Sequence, residues 1–460
     1  MLSRRFQALS LSRLGFRSAS TSGSDAPSQG FLYGFGSNVL GQLGTGPVEI
    51  KRTHIPEPVR FALSSDPKNF SQLPVDLVAA GSTHSIAVTA DGNVWTWGSP
   101  QYGQLGLGSS AKKQKNAATL IPHSVFLDLF PTIQSSSSSS SSSAETTTTA
   151  RIANSGDASS SESNVKVRPV SVAAGAYSSA IAFENGSMLT FGYGGGFFSG
   201  VGPLGHSKRG NLSSPALVTG LVGEKVTKVA VGHQHAGAVV DSGEVFMWGK
   251  GSWGRLGLGT AYSAAEPAYV HGLKDSRVVD IALGQNHSLA LTKEGRVLCW
   301  GKNEHFQLGL GLDSAGAYYG GSGFDAVSTP TPIPFFDLIP VRQIAANAFF
   351  SACVTVDGRA YVWGNRLFLQ PARVVLGRNM DEKAKYISAG PMHLAVISES
   401  GKLYVFGRNA ELQLGIENKS FRKEFVLTES VSFPVKNVSC GGTFTLVVAD
   451  TPTSPTGIAS

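Results

Sequence analysis

An all-β fold, a seven-bladed β-propeller closed by its own two ends, is what the sequence predicts, and three observations carry the prediction. A turn followed by an apolar strand recurs seven times, and a second strand ending in an aromatic residue and glycine recurs seven times as well. The two series are out of phase at the chain ends. The 55 glycines, about 12% of 460 residues against a usual ~7%, fit many tight turns and short strands rather than long helices.

Taken in chain order, the first element is a leader. Residues 1–24 carry Arg4, Arg5, Arg13, Arg17 and seven serines, with no acid before Asp25. This is the composition of an organellar transit peptide, and serine and arginine interrupt the leucines where a secretory signal needs an unbroken apolar run. The early arginines favour mitochondria, and within them the matrix, over the chloroplast. Four of the seven net positive charges fall in this leader, leaving +3 for the remainder. That balance is too mild for a whole-domain electrostatic argument for nucleic acid. With 41% hydrophobic and 15% charged residues the chain has the makings of a large core, and no run approaches the ~20 apolar residues of a membrane-spanning helix.

The propeller is expected over residues 31–450. Its turn units are 79–88, 173–182, 230–239, 282–291, 345–354, 388–397 and 439–448, with the turn residue at Gly81, Gly175, Gly232, Gly284, Asn347, Gly390 and Gly441. The intervals are 94, 57, 52, 63, 43 and 51 residues, near the ~50 of a propeller blade. The aromatic-glycine ends are Phe35-Gly36, Trp97-Gly98, Phe191-Gly192, Trp248-Gly249, Trp300-Gly301, Trp363-Gly364 and Phe406-Gly407. The strands "GNVWTWG" and "GRVLCWG" that lead to two of them have the β-branched and aromatic residues of a half-buried pleated surface. The first such strand, "FLYGFG" at 31–36, has no turn unit before it, and the last turn unit, at 439–448, has no aromatic-glycine strand after it. Together they make one blade, a clasp that leaves no open sheet edge.

The longest interval holds the run "SSSSSSSSS" (135–143) followed by "AETTTTA". Such sequence buries too little apolar surface to offset its entropy, so 109–166 is expected to be a disordered Ser/Thr-rich insert between blades, and 451–460 a disordered tail.

Residues 79–106 carry Ala79-Ala80-Gly81, His84-Ser85, Asp91-Gly92, Trp97-Gly98 and Gly103-Gln104-Leu105-Gly106. These resemble the unit of the regulator of chromosome condensation repeat family, and the resemblance covers roughly 31–450 apart from the serine-rich insert. It implies a seven-bladed propeller. It also implies a function from one of several branches: nucleotide exchange on the small GTPase Ran, plant UV-B reception, or, for mitochondrial members, organellar RNA splicing, ribosome assembly or GTPase regulation. The photoreceptor branch carries a Gly-Trp-Arg-His-Thr motif, which does not occur here. In the Ran exchange factor, acidic turn residues and a wedge after the third aromatic-glycine strand face the GTPase. The matching turns here are Gly175-Ala176-Tyr177 and Gly232-His233-Gln234, and the wedge position, Gly194 to Gly200, is uncharged.

His84, His235, His287 and His393 hold one equivalent position in four units, where Ser178, Phe350 and Phe444 stand in the others. A metal or catalytic ring would not accept phenylalanine, so these are read as packed, hydrogen-bonded turn residues. His233 and His235 would share a face in a strand, but zinc needs further ligands. The glycines lack phosphate-loop spacing, and no set of nucleophile, base and orienting residue is apparent. Catalytic, cofactor-binding and metal residues are therefore assigned to none. Cys299, Cys353 and Cys440, each in an apolar run, are read as buried free thiols. The basic loops at 112–115, 207–210 and 421–425 are read as solvated charge. The functional expectation is a mitochondrial interaction scaffold, not an enzyme, supporting organellar gene expression through splicing of respiratory-complex transcripts or ribosome assembly. Its partners would be proteins on the loop faces, with mitochondrial RNA or a ribonucleoprotein as a further candidate. The alternative is guanine-nucleotide exchange on an organellar small GTPase.

Overall fold

Each repeat folds into one antiparallel sheet. The computed structural model describes residues 30–46, 50–63, 69–108, 117–122, 124–127, 129, 167–196, 200–311, 326–377 and 382–450. The leader expected at 1–24, most of the insert expected at 109–166 and the tail expected at 451–460 lie outside the described residues.

The described residues form seven four-stranded sheets. Blade 1 runs from its inner strand Val75–Ala80 through His84–Thr89 and Val94–Gly98 to the outer strand Thr119–Leu120. The inner strands of blades 2 to 7 are Pro169–Ala174, Val226–Val231, Val278–Leu283, Val341–Asn347, Ala384–Ala389 and Val435–Cys440. Each inner strand touches the next around the axis, and the last touches the first, which closes the ring.

Blade 7 is the clasp. Its inner strands, Val435–Cys440 and Phe444–Ala449, come from the end of the chain, and its outer strands, Phe31–Ser37 and Arg52–Pro58, from the beginning. Phe31 lies opposite Ala449 and Gly36 opposite Phe444.

The second strand of every blade is buried along its whole length, not on alternate residues. This corrects the half-buried surface expected of the repeat strands, for the third strands Val94–Gly98 and Val297–Lys302 are buried too, the latter in all but its last residue. Blades pack face to face, so both faces of an inner-ring strand meet a neighbour. The core is accordingly divided into seven apolar clusters, one at each blade interface. Trp97, Trp248, Trp300 and Trp363 have no exposed surface.

One segment departs from the sequence reading. Part of the insert belongs to the blades: Thr119–Leu120 pairs with Trp95 and Thr96, and Phe126, in the short helix Ser124–Leu127, packs at 5.4 Å on Phe183 between blades 1 and 2. The local apolar stretch "ATLIPHSVF" at 118–126 recovers enough burial to be ordered, which whole-segment composition obscured. The Gly-rich stretch after Phe191-Gly192 forms a two-stranded ribbon, Gly195–Gly196 against Gly200–Val201.

The topology sorts the connections onto two faces. The turns from inner to second strand and the loops after the aromatic-glycine pairs share the upper face. The turns from second to third strand and the links to the next blade share the lower one.

Candidate functional site

The upper face is built on an interlocked set of hydrogen bonds. His84 Nε2 lies 2.8 Å from Ser179 Oγ in the next blade, His235 Nε2 3.0 Å from Ser288, His287 Nε2 2.9 Å from Ser351, and His393 Nε2 2.8 Å from Thr445. Each of these hydroxyls donates to a loop carbonyl, of Gln104, Arg255, Gln307 and Gln413 respectively. A hydroxyl has one proton to give, so the imidazole must donate and carries its proton on Nε2. Two of the carbonyls accept a second bond, Arg255 O from the Trp300 indole and Gln307 O from that of Trp363. Trp97 and Trp248 donate in the same way to Gln42 O and Pro203 O.

Burial holds His84, His287 and His393 neutral down to about 3, and lowers His235 well below the ordinary value. A neutral, fully buried ring with a neighbour-blade hydroxyl as its partner fastens blades together and has no access to a substrate.

The turn glycines are fixed by the next blade's backbone and by these rings: a Cβ on Gly81, Gly232 or Gly390 would first meet the carbonyl oxygen of Gly175, Gly284 or Gly441, at 2.4, 2.6 and 2.7 Å. A Cβ on Gly81 would sit 2.7 Å from His84 Cε1, on Gly232 2.8 Å from His235 Cε1, on Gly284 2.2 Å from His287 Cε1, and on Gly390 2.8 Å from His393 Cε1. Gly175, with no histidine beside it, meets Gly232 O and Val231 Cγ1, both at 2.5 Å. The glycines of the aromatic pairs answer to backbone: Gly98, Gly192, Gly249, Gly301, Gly364 and Gly407 all have φ near +100°. Each lies opposite the histidine-position residue, as Gly98 does His84.

His233 and His235 do not share a face. His235 begins a strand and is buried, whereas His233 lies in the turn before it, half-exposed, with Tyr177 at 5.8 Å. Among the described residues no three His, Cys, Asp or Glu side chains are grouped as metal ligands, and no helix is long and apolar enough to cross a membrane. Cys299, Cys353 and Cys440 are buried, and burial raises all three thiols, Cys440 to about 12.

The mouth of the central channel opens on this face as a cavity of about 300 Å³, bordered by Gly81, Gly175, His233, Asn347, Phe349 and Met392. Beside it lies an aromatic group that sequence reading missed. Tyr102 is 5.0 Å from Tyr177 and 5.5 Å from Tyr193, and Tyr177 is 6.3 Å from Tyr193. Further round, Lys302 Nζ sits 4.4 Å over the exposed Trp253 ring, and His305 lies 4.3 Å from Phe349. The available signal was a column in the repeat: Tyr177, Phe349 and Met392 each immediately precede the histidine position. Arg255 is buried, donating to Ser252 O and to Gln285 O of the next blade.

The repeat itself is the deciding observation. The Regulator of chromosome condensation (RCC1) repeat matches residues 29–88, 91–144, 242–291, 294–354 and 400–448, more than half of the chain, and a second form of it matches 75–104 and 278–307. The chain belongs to the RCC1 repeat family. Among curated RCC1 relatives, the mitochondrial RCC1 domain-containing protein RUG3 of Arabidopsis thaliana is 28% identical over 413 residues, 84% of this chain and 79% of the relative. Human HERC6 is 32% identical over 267 residues, but the match spans 54% of this chain and only 25% of that protein. Among solved structures, Prp20p of Saccharomyces cerevisiae, described with its binding to Gsp1p and histones, superposes with a TM-score of 0.72 over 92% of each chain at 20% identity, a likeness of fold. This RCC1 propeller thus has its family's blades and closure.

Proposed function

We propose that this RCC1 propeller is a mitochondrial interaction scaffold that supports organellar gene expression, through RNA splicing or processing of respiratory-complex transcripts or through ribosome assembly. The observation that carries the reading is the likeness to mitochondrial RUG3 across most of both chains. The Arg- and Ser-rich composition of residues 1–24 supports the same compartment. A ring locked by inter-blade hydrogen bonds, with loops gathered on its faces, suits a protein that presents binding surfaces. The test is recovery of the tagged protein from isolated mitochondria, with half the sample treated with RNase. Splicing or ribosomal factors that depart on RNase treatment are the expected result; their absence from both halves would overturn the reading.

The ribbon of Gly195–Gly196 against Gly200–Val201 favours a second reading, nucleotide exchange on an organellar GTPase, because it lies where the family resemblance implies a wedge. That reading requires one GTPase to stay bound after RNase treatment and to leave when GTP is added.

A further inference from the structure

Charge is divided between the two faces. Among the described residues, the upper-face turns and loops carry Lys51, Lys208, Arg209, Lys250, Arg366 and Arg408 against the carboxylates Glu304, Glu411 and Glu417. Glu304 is already paired with Lys302 and Arg366. The lower-face turns between second and third strands carry seven acids, Asp91, Glu184, Asp241, Glu244, Glu294, Asp357 and Glu399, against four cations, Lys293, Arg296, Arg359 and Lys402. The mild overall charge therefore conceals a basic face.

That face also carries the aromatic group. Tyr102, Tyr177, Tyr193 and His233 come from blades 1, 2 and 3, are all half-exposed and form one contiguous set of rings. Lys208 and Arg209 are exposed in the loop that follows Tyr193, and Lys250 follows the next blade's Trp248-Gly249. Rings beside cations, held on a rigid frame, form a stacking platform with an electrostatic rim. A duplex keeps its bases stacked on one another and has none to offer such rings. An acidic segment without aromatic residues would answer the cations but leave the tyrosines without a partner.

We propose that the upper face binds single-stranded RNA, with bases stacking on Tyr102, Tyr177, Tyr193 and His233 and the phosphate backbone following Lys208, Arg209 and Lys250. The proposal deepens the gene-expression reading by giving the scaffold a direct RNA contact.

The test is fluorescence anisotropy of the purified chain with labelled oligouridylate, an RNA duplex of the same length as comparison, and polyglutamate as competitor. Y177A/Y193A should weaken binding about tenfold or more, whereas Y177F/Y193F, which keeps the rings, should bind as the parent does. K208S/R209S should lower the salt slope by about two phosphate contacts, and K293S/R296S, on the lower face, should not. Tight binding of the duplex, equal losses from the two basic-pair variants, or displacement by polyglutamate at the same charge concentration as RNA would each overturn the proposal. So would parental affinity in Y177A/Y193A. Oligouridylate that fails to bind removes the direct RNA contact and leaves a protein scaffold standing; loss of all RNase-sensitive partners from mitochondria removes the scaffold reading and leaves the binding measurement intact.

Discussion

His287 shows how one residue serves two blades. It packs on Gly284 of its own turn and donates to Ser351 of the next blade. Where histidine is missing, the hydroxyl one blade on is usually missing too: Phe350 is followed by Leu394 and Ser178 by Ala236 at the matching position. Removing the Ser351 hydroxyl or the imidazole alone leaves a buried polar group without its partner. S351A and H287A measured singly and together in urea should therefore show a coupling of ~1 kcal/mol, and additive losses would break the pairing. The same histidines set an acid limit. Folded, they stay neutral to about pH 3, whereas an unfolded histidine takes up a proton below ~6.5. The unfolded chain binds more protons in that window, so stability falls with falling pH by up to ~1.4 kcal/mol per histidine per unit. H287F should lessen the slope between pH 6 and 5 by up to one proton, measured from urea midpoints. The recurrence of histidine was legible in the sequence; its partner was not, because the two lie 52 to 95 residues apart.

At the scale of a blade, the tryptophan near the end of the third strand ties one sheet to the next. Trp300 is buried among Leu256, Met247 and Ile281 of the blade 3–4 interface, and its indole reaches across to Arg255 O. W300A should cost ~3–5 kcal/mol by leaving a cavity, read as a lowered melting temperature. The insert offers a sharper test of where a blade ends. Deleting 131–165 should change the melting temperature little, because loop closure depends only logarithmically on length. Extending the deletion back to 117 removes Thr119–Leu120 and Phe126 and should destabilise blades 1 and 2 markedly. Equal melting temperatures for the two deletions would show that the outer strand contributes nothing. Strand identity was legible because glycine and aromatic residues punctuate each unit. The ordered portion of the insert was not, since Leu120, Ile121, Val125 and Phe126 disappear in the average of a serine-rich segment.

Across the whole molecule, the number of blades and the shared blade follow from the phase of two repeats, and both could be read without coordinates. The two-faced distribution of charge could not, because each loop contributes one or two side chains and only the ring adds them on one side. Removing residues 30–58 would strip Phe444–Ala449 of its outer neighbour and bare a strand edge next to an apolar interface. Such a truncated chain should self-associate, seen as a rise in mass by light scattering, while the full chain stays at one size. The clasp also bears on the order in which the chain can be finished. Phe31–Ser37 leaves the ribosome among the first structured segments, yet its partner Phe444–Ala449 is made more than 400 residues later. Until then the early strand needs protection, at least for the ~20 to ~80 seconds that synthesis takes at ~5–20 residues per second and, for a chain imported into mitochondria, until import has delivered the last strand. A helper that shields Phe31–Ser37 over that time would be as much a requirement of this architecture as any partner of the finished ring.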